Sequence, residues 1–525
     1  MDASARIECL PDTRLDICGF ITDWLQQPPG TQNILWLYGV AGCGKSTIAN
    51  TIASAFRGER RLGAFLFFDR SAKSDPSNVI RTLAFQLGSF NQHIGDAIAA
   101  AISSNPGITE SSLQLQFSKL LQEPLLQVAA VITSPIVVIL DALDECGNPE
   151  SRKILLRVFG HNLQRLSTSL RILITSRPQQ DILHAFRRQQ NVLPYELDIS
   201  TKSNHEDIMS YLHQRFNELR ETMPILPEPN WPGEEAIATL RKHSTGLFIW
   251  CSTAMLFIEK GYNKNEKLKV LLNVGPQMEA EAALDDLYTV ALQNSGLWED
   301  ATFRRDFCSI FGAIILAKEA LSDQTIDELL GSNISQPSIH MIQHFHCVLH
   351  HRKNGTVYIL HPSFADFLMN QQRCCQLDVF IDPVIHNYQF VLQCFQGMKD
   401  NLHFNICGLE TSSLLNNQIL DLDVRIKSAI PRHLSYSCRF WANHLHAISG
   451  HSELIGKLTE HITTFLHKEL LYWLEVLSLK GEVNIAPGCM FTIADLCKVS
   501  CMVDISGNLI DNSSGSWKGT CGICS

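Results

Sequence analysis

The N-terminal part of the chain alternates short apolar runs with longer stretches whose apolar residues recur at helical spacing. Short continuous apolar runs are typical of strands that are covered on both faces of a parallel sheet. The sequence predicts four such strands, at Ile34–Tyr38, Ala64–Phe68, Ile136–Leu140 and Ile172–Thr175, and a fifth strand at Tyr195–Ile199. Helical stretches between them, such as Val79–Leu87 and Ile154–Phe159, complete the pattern of a doubly wound α/β domain.

One turn in this pattern has the composition of a phosphate-binding loop. The first predicted strand runs into GVAGCGKST, and a helical pattern begins at the lysine. Glycines lack a Cβ, so successive backbone N–H groups can face phosphate oxygens at the positive end of the following helix. We expect the phosphates of ATP or ADP to be bound by Gly39, Gly42, Cys43, Gly44, Lys45, Ser46 and Thr47.

Two side chains of this loop have distinct expected roles. The Lys45 ammonium would reach the β and γ phosphates, and the Ser46 hydroxyl would hold Mg²⁺. The alternative is a glycine turn that arose by chance. The strand before the loop and the helix after it argue against chance, because that context is the one in which the motif works.

The second candidate feature is the acidic sequence VVILDALDEC. Asp141 ends a predicted strand, where its carboxylate can hold Mg²⁺ through water opposite Ser46. Hydrolysis needs a water in line with the γ phosphorus, and a nearby carboxylate can orient that water or accept its proton. Glu145 is the first choice for this catalytic role and Asp144 the second. The alternative is a strand that ends in a solvated acidic turn.

An arginine follows the next predicted strand, in the sequence ILITSRP. A guanidinium at this strand tip could contact the γ phosphate and so distinguish ATP from ADP. Arg177 is therefore a candidate nucleotide-binding residue. The alternative is a surface arginine that precedes a turn.

Beyond residue 200 the strand signal fades and helical patterns prevail. One hairpin is predicted, because Cys347–His350 and Val357–Leu360 flank the turn signal Lys-Asn-Gly. We divide the chain into a lead-in helix, an α/β core, a helical domain, a winged-helix-like domain, a second helical domain and a tail, with bounds 1–32, 33–200, 201–275, 276–372, 373–485 and 486–525. The tail is expected to be disordered or truncated.

Composition and charge exclude some classes of protein. The formal net charge is −10 and no long basic block is present, so a general nucleic-acid-binding surface is not expected. No apolar stretch is long enough to span a bilayer, and the chain begins without a secretory signal pattern. Seventeen cysteines in such a chain indicate reduced thiols, and the sequence predicts a cytoplasmic protein.

Further motifs along the chain resemble one family. Besides the phosphate loop, the acidic motif and ITSRP, they are CLPDTR, GAFLFF, GLFIWCSTA, FGAIILAKEALS, LHPSFADFL, NICGL, YSCRFWANHL and LLYWLEVLSL. Together they are similar to the NACHT group of signal-transducing (STAND) P-loop ATPases, and most closely to the large fungal set that usually carries WD40 or other repeats. The resemblance implies a P-loop NTPase parallel sheet followed by helical, winged-helix and second helical domains.

The resemblance also implies a mechanism. Proteins of this group are thought to rest in a closed ADP-bound state and to open on exchange for ATP, often with self-association. A winged-helix histidine touches ADP, and His361 holds the matching position. An imidazole that donates to the β phosphate in only one domain arrangement would supply the differential contact that a switch requires. The alternative is a core histidine that caps the next helix.

The chain departs from the family pattern in two places. Phe248 stands where related plant and animal proteins have a proline near the adenine, so base contacts cannot be transferred. No WD40 repeats follow the helical region. A natural short form and a truncated fragment of a larger receptor are the two explanations for their absence.

These features predict an ATP/ADP-binding signalling switch with Mg²⁺ and slow ATP hydrolysis, and the resemblance suggests fungal immune or non-self-recognition signalling. The expected partners are nucleotide, further copies of the chain and unidentified proteins. Two other classes compete with the switch. One is a scaffold that binds nucleotide only for stability or not at all. The other is a steady-state ATPase motor, which the lack of helicase-like motifs and of a basic channel disfavours.

Two further clusters carry weaker signals. The spacing of Cys497, Cys501, Cys521 and Cys524 is close to that of zinc ligands, although we prefer coincidence in a cysteine-rich chain. Four histidines alternate as in a strand and are interpreted as structural, namely His344, His346, His350 and His351.

Overall fold

A computed structural model describes residues 7–27, 32–69, 74–132, 134–162, 170–187, 189–223, 230–275, 277–374, 379–411 and 413–496. The chain folds into two compact units. The first unit comprises Met1–Gly296, Gln343–His351 and Tyr358–Leu377. The second comprises Leu297–Ile342, Arg352–Val357 and Asp378–Ser525.

The first unit is built on a five-stranded parallel sheet. Its strands are β1 (Ile34–Tyr38), β2 (Leu62–Phe67), β3 (Ile136–Asp141), β4 (Leu170–Ser176) and β5 (Val192–Glu196). In space they follow the order β2-β3-β4-β1-β5, and every neighbouring pair is parallel. Strand β4 therefore lies between the strand that precedes the phosphate loop and the strand that ends in Asp141. The carboxyl ends of these three strands meet at one edge of the sheet.

Helices cover both faces of the sheet. Side chains alternate along β1, with Leu35 and Leu37 in one core cluster and Ile34 and Trp36 in the other. The first cluster is covered by α1 (Leu15–Gln26) and α2 (Lys45–Gly58). The second is covered by α3 (Pro76–Phe90), α4 (Gln92–Ser104), α5 (Leu113–Phe117), α6 (Glu123–Gln127), α7 (Pro149–Asn162) and α8 (Gln180–Phe186).

The chain beyond the sheet is helical in its described part, apart from one hairpin. Five helices complete the stretch up to residue 296, namely α9 (Lys202–Glu221), α10 (Glu234–His243), α11 (Phe248–Lys260), α12 (Lys264–Leu272) and α13 (Ala280–Gln293). The remaining elements are α14 (Ala301–Leu316), α15 (Asp323–Leu330), α16 (Ser338–His344), β6 (Leu349–His351), β7 (Val357–Ile359), α17 (Pro362–Leu368), α18 (Pro383–Asn401), α19 (Leu422–Ala429), α20 (Arg432–Ala447), α21 (Ser452–Thr464) and α22 (Leu470–Leu479).

The observed sheet and the helices that follow it confirm the predicted α/β P-loop NTPase fold. Four strands begin within two residues of their predicted starts, whereas β5 begins at Val192 instead of Tyr195. The difference arises at Pro194, which suggests a break because it lacks a backbone N–H. Since β5 lies at the edge of the sheet, its open side tolerates a residue without that donor.

The two compact units do not follow the predicted domain boundaries. The segment 276–372, predicted as winged-helix-like, contributes to both units, although the hairpin predicted within it is present as β6 and β7. A division into two compact units does not test the six predicted domains, which stay a prediction. Residues 486–496 are helical, in contrast to the disorder expected for the tail. The four candidate zinc cysteines from Cys497 onward lie outside the described residues.

Two kinds of feature are absent from the described ranges. No helix there combines the length and hydropathy that a bilayer span requires. No group of three or more histidine, cysteine or acidic side chains is arranged there to hold a metal ion, and this includes the four clustered histidines.

Candidate functional site

The glycines of the phosphate loop adopt a conformation that other residues avoid. Gly42 and Gly44 have φ angles of 78° and 98°, in the left-handed region where a Cβ is strained. Helix α2 begins at the next residue, Lys45, and the N–H groups of its first turn have no acceptor within the helix. The turn thus presents backbone donors at the positive end of a helix, which is an arrangement suited to anions.

The Lys45 side chain folds back over this loop. Its Nζ donates to the carbonyl oxygens of Gly39 and Val40 at 2.9 and 2.8 Å and lies 3.6 Å from Cys43 Sγ. The residue is only 9% exposed. Within the described part of the chain, these neighbours are neutral and no carboxylate forms an ion pair with Nζ. A buried ammonium with neutral neighbours favours an anion beside it, because an uncompensated buried charge is costly.

The two residues predicted to hold Mg²⁺ lie at the ends of α2 and β3. Ser46 is the second residue of α2 and is half-buried, whereas Asp141 ends β3 and is fully buried. The Thr175 hydroxyl of β4 donates to Asp141 Oδ1 at 2.5 Å and accepts the Ala142 N–H at 2.9 Å. Strand β4 therefore orients the Asp141 carboxylate. A hydroxyl and a carboxylate are oxygen ligands that suit Mg²⁺, so these residues fit the ion.

The chain turns sharply after Asp141. Ala142 has a φ of 59°, in the left-handed region, and residues Leu143–Glu145 form a single 3₁₀ turn. A non-glycine residue in this region costs on the order of 1 kcal/mol, and such strain is found preferentially at functional sites. The turn places Asp144 and Glu145 directly after the strand tip.

The two candidate catalytic carboxylates have different surroundings in the structure. Asp144 is 8% exposed, and its carboxylate accepts the backbone N–H of Arg177 at 3.0 Å and lies 3.3 Å from Arg177 Nε. Accepting a proton from an attacking water requires a carboxylate oxygen that faces the water, and both of these Asp144 contacts are with Arg177. Glu145 is half-buried in the same turn and remains the first candidate for that role.

Arg177 lies directly after β4 and pairs with a second carboxylate. Its Nη1 lies 2.6 Å from Asp366 Oδ2 in α17. Burial by itself lowers the pKa of Arg177, but Asp366, Asp144 and Glu145 together raise it above the usual value, so the guanidinium stays charged. The side chain is 21% exposed, which argues against a simple surface arginine. Contact with a γ phosphate would require a change of partner.

A buried arginine that the sequence did not single out holds the acidic turn. Arg152 of α7 is fully buried. Its Nη1 donates to the Asp144 carbonyl oxygen at 2.6 Å, its Nη2 to Gln179 Oε1 at 2.6 Å and its Nε to Asp181 Oδ2 at 2.9 Å. An arginine within an ordinary helical pattern carries no sequence signal for this role, because the contacts depend on distant residues.

We expect Arg152→Met to lower the free energy of unfolding by about 3 kcal/mol, because it leaves buried acceptors without their donor. Urea denaturation measures the effect. The adjacent Lys153→Met is the matched control, since that side chain is 61% exposed and should change stability by less than about 0.5 kcal/mol. Equal stability of the two variants would contradict the role given to Arg152.

The lead-in segment and α11 both contact the phosphate loop. Arg14 is 7% exposed, and its Nη2 donates to the Cys43 carbonyl oxygen at 2.7 Å while its guanidinium lies 4.6 Å from the centre of the Phe248 ring. The Ile249 N–H donates to the Gly42 carbonyl oxygen at 3.1 Å. Arg14 belongs to the CLPDTR motif, which carries part of the family resemblance but predicts no role for the arginine. That motif was the available signal.

His361 caps the helix that it precedes. Its Nδ1 accepts the Ser363 N–H at 3.2 Å and lies 2.6 Å from Ser363 Oγ. This is the capping role that the sequence left open as the alternative. Contact of the same ring with a nucleotide stays a prediction.

The predicted site residues are brought together in part. The phosphate loop, Asp141 and Arg177 follow the carboxyl ends of adjacent strands, and Arg177 contacts Asp144 directly. Its ion pair with Asp366 extends this group to α17, the helix that His361 caps. Sequence reasoning missed Asp366, because a carboxylate in a helix 189 residues away gives no local sign of that contact.

The chain is similar to one protein family and to several solved structures. Residues 20–177 match the family described as Nephrocystin 3, N-terminal, a segment that includes the phosphate loop, the acidic turn and Arg177. No curated protein matches the chain. Similar solved structures include the ORC2 protein of Aeropyrum pernix in ADPNP–ADP complexes, at 13% identity and a TM-score of 0.31, covering 69% of this chain and 92% of that chain. CDC6P from Pyrobaculum aerophilum is similar at 9% identity and a TM-score of 0.32, covering 71% of this chain and 96% of that chain.

Proposed function

We propose that the chain is a nucleotide-operated signalling switch of the NACHT type, which binds ADP or ATP with Mg²⁺ and hydrolyses ATP slowly. The observation that carries the proposal is Lys45, a buried ammonium with neutral neighbours at the start of α2. Backbone donors of the same loop would share the anion with it. The strand, glycine-rich turn and helix supply the context in which such a loop binds nucleotide phosphates.

The residues around the loop would divide the chemistry among them. Ser46 and Asp141 would hold Mg²⁺, which when bound neutralises charge on the phosphates. Lys45 would contact the outer phosphates, and Glu145 would accept a proton from the attacking water. Turnover can be slow in such a protein, because hydrolysis serves to return it to the ADP-bound state and not to make a product.

Arg177 would distinguish the two nucleotides by a change of partner. Its Nη1 is held by Asp366 and its Nε by Asp144. A γ phosphate carries more charge than one carboxylate and accepts more hydrogen bonds, so it would compete with Asp366 for the guanidinium. Loss of that ion pair would free α17 from the strand tip. The competition supplies the difference in binding energy that any ligand-driven switch needs.

His361 would act in the opposite sense. In the proposed closed state its imidazole would donate to the β phosphate of ADP, so that ADP favours the arrangement in which α17 lies near the phosphate loop. The family resemblance further supports self-association of the ATP-bound form and a role in fungal immune or non-self-recognition signalling. The competing function is a scaffold that nucleotide only stabilises.

We expect Asp366→Asn to shift the ratio of ATP to ADP affinity toward ATP by about tenfold, because a neutral amide competes less well for Arg177. Displacement of a fluorescent ADP analogue measures both affinities. Asp286→Asn is the matched control, since that carboxylate contacts Gln277 on the surface. An unchanged ratio in Asp366→Asn would contradict the proposed exchange of partners.

The same preparations test the switch itself. Wild-type protein should bind both nucleotides and should sediment differently with ADP and with a non-hydrolysable ATP analogue. A scaffold, whether or not it binds nucleotide, would sediment identically in every case. Identical sedimentation would therefore contradict the switch and support the scaffold as the function.

A further inference from the structure

Three side chains of the first unit form a continuous chain of hydrogen bonds that ends on His361. Tyr288 Oη in α13 lies 2.8 Å from Ser363 Oγ, and Ser363 Oγ lies 2.6 Å from His361 Nδ1. Tyr288 and Ser363 are 1% and 3% exposed, so solvent has little access to these hydrogen bonds. The Tyr288 ring also packs against Phe364, with ring centroids 5.0 Å apart.

The backbone of Ser363 sets the direction of this chain. Its N–H lies 3.2 Å from His361 Nδ1, and a backbone N–H can only donate. Nδ1 must therefore accept, and a neutral imidazole with an accepting Nδ1 carries its proton on Nε2. Because Nδ1 accepts, the Ser363 hydroxyl donates to it. That hydroxyl has one proton, so the Tyr288 hydroxyl must donate to Ser363 Oγ.

We propose that Ser363 and Tyr288 are positioning residues, which hold His361 in the tautomer whose Nε2–H donates to a terminal phosphate oxygen of a nucleoside diphosphate. The proposal rests on the function proposed above for His361 and deepens it. Oxygens of an ionised phosphate accept hydrogen bonds, so the opposite tautomer, with a lone pair on Nε2, would repel them. The backbone N–H of Ser363 and the two hydroxyls together thus select the form of the ring that recognises a diphosphate.

A purely structural role is the competing explanation. Ser363 lies in the first turn of α17 and Tyr288 lies in a packed core, so loss of either hydroxyl can lower stability. Stability loss, however, affects ADP and ATP binding alike. Selective loss of ADP affinity is the effect that a structural role would not produce.

The first experiment measures ADP and ATP affinities of the full chain in the variants Ser363→Ala, Tyr288→Phe and His361→Ala. Ser363→Ala should lower ADP affinity about fivefold, as expected for one lost hydrogen bond, with ATP affinity unchanged. Tyr288→Phe keeps the aromatic packing and should produce a smaller loss in the same direction. Ser363→Thr keeps the hydroxyl and should retain wild-type ADP affinity.

The second experiment detects the tautomer without nucleotide. In protein with ¹⁵N-labelled histidine, the two ring nitrogens give different shifts according to which one is protonated, and the His361→Ala spectrum identifies the His361 signals. Wild-type protein should contain the Nε2–H form of His361 alone. Ser363→Ala keeps the backbone N–H at 3.2 Å but loses the shorter hydroxyl contact at 2.6 Å, so a fraction of the opposite tautomer should appear beside the Nε2–H form.

The outcomes separate this proposal from the function on which it rests. If His361→Ala leaves the ratio of ADP to ATP affinity unchanged, the proposed role of the histidine is wrong and the positioning role falls with it. If His361→Ala weakens ADP binding but Ser363→Ala and Tyr288→Phe do not, the switch stands and the positioning role is overturned. An equal loss of ADP and ATP affinity in Ser363→Ala, with a lower unfolding midpoint, would show that these hydrogen bonds have a structural role only.

Discussion

Lys45→Ala is expected to lower the affinity for ATP and for ADP by at least about 100-fold, because charge-assisted hydrogen bonds contribute about 1.5–3 kcal/mol each. The Lys45 ammonium is the buried cation at the centre of the phosphate loop. Alanine removes that charge and leaves the backbone donors of the loop to bind the phosphates without it. Isothermal titration of the purified variant with each nucleotide in the presence of Mg²⁺ measures the loss.

The control for this variant is a lysine of the same domain that lies away from the loop. Lys119 is 44% exposed and pairs with Glu123 in the next helical turn, so Lys119→Ala should bind nucleotide as the wild type does. Without nucleotide, Lys45→Ala should still unfold in one cooperative transition, which shows that its loss of affinity is not the result of an unfolded protein. Wild-type affinity in Lys45→Ala would remove the basis for the switch.

Glu145→Gln is expected to bind ATP with wild-type affinity and to hydrolyse it about 10²–10⁴ times more slowly, the range typical of a lost general base. Glutamine has the same shape as glutamate but cannot accept the proton of the attacking water. Because wild-type turnover is expected to be slow, single-turnover hydrolysis of labelled ATP is the suitable measurement. The variant should also remain in the ATP-bound form, which makes it the preparation of choice for studying that state.

Asp144→Asn is the informative comparison, because Asp144 belongs to the same turn but accepts the Arg177 N–H and pairs with its guanidinium. Its substitution should disturb Arg177 and so alter nucleotide preference as well as hydrolysis. If Glu145→Gln hydrolysed ATP at the wild-type rate while Asp144→Asn did not, the two carboxylates would have the opposite roles.

The sheet and the phosphate loop are predictable from sequence because their signals are local. A strand buried on both faces forms an apolar run, and the loop depends on glycine, lysine and serine at fixed spacing. Strand β5 shows the limit of such signals. Its position at the sheet edge accommodates Pro194, and edge position is a property of the whole sheet.

The partners of the site are not predictable in this way, because they are brought together only by folding. Arg177 and Asp366 are 189 residues apart in sequence, and Tyr288 and Ser363 are 75 apart. Arg152 lies in a helix that the sequence pattern predicts, but the pattern does not indicate which oxygens its guanidinium contacts. His361 illustrates the remaining difficulty, since the same ring satisfies a capping role and is a candidate for nucleotide contact.

The most direct test of the central claim is the nucleotide content of gently purified protein, measured by denaturing it and identifying the released molecules, with Lys45→Ala treated in parallel. A switch that rests in its ADP-bound form should release one ADP per chain, and the variant should release none. A wild-type protein that releases no nucleotide and fails to bind added ATP or ADP with Mg²⁺ would contradict the account.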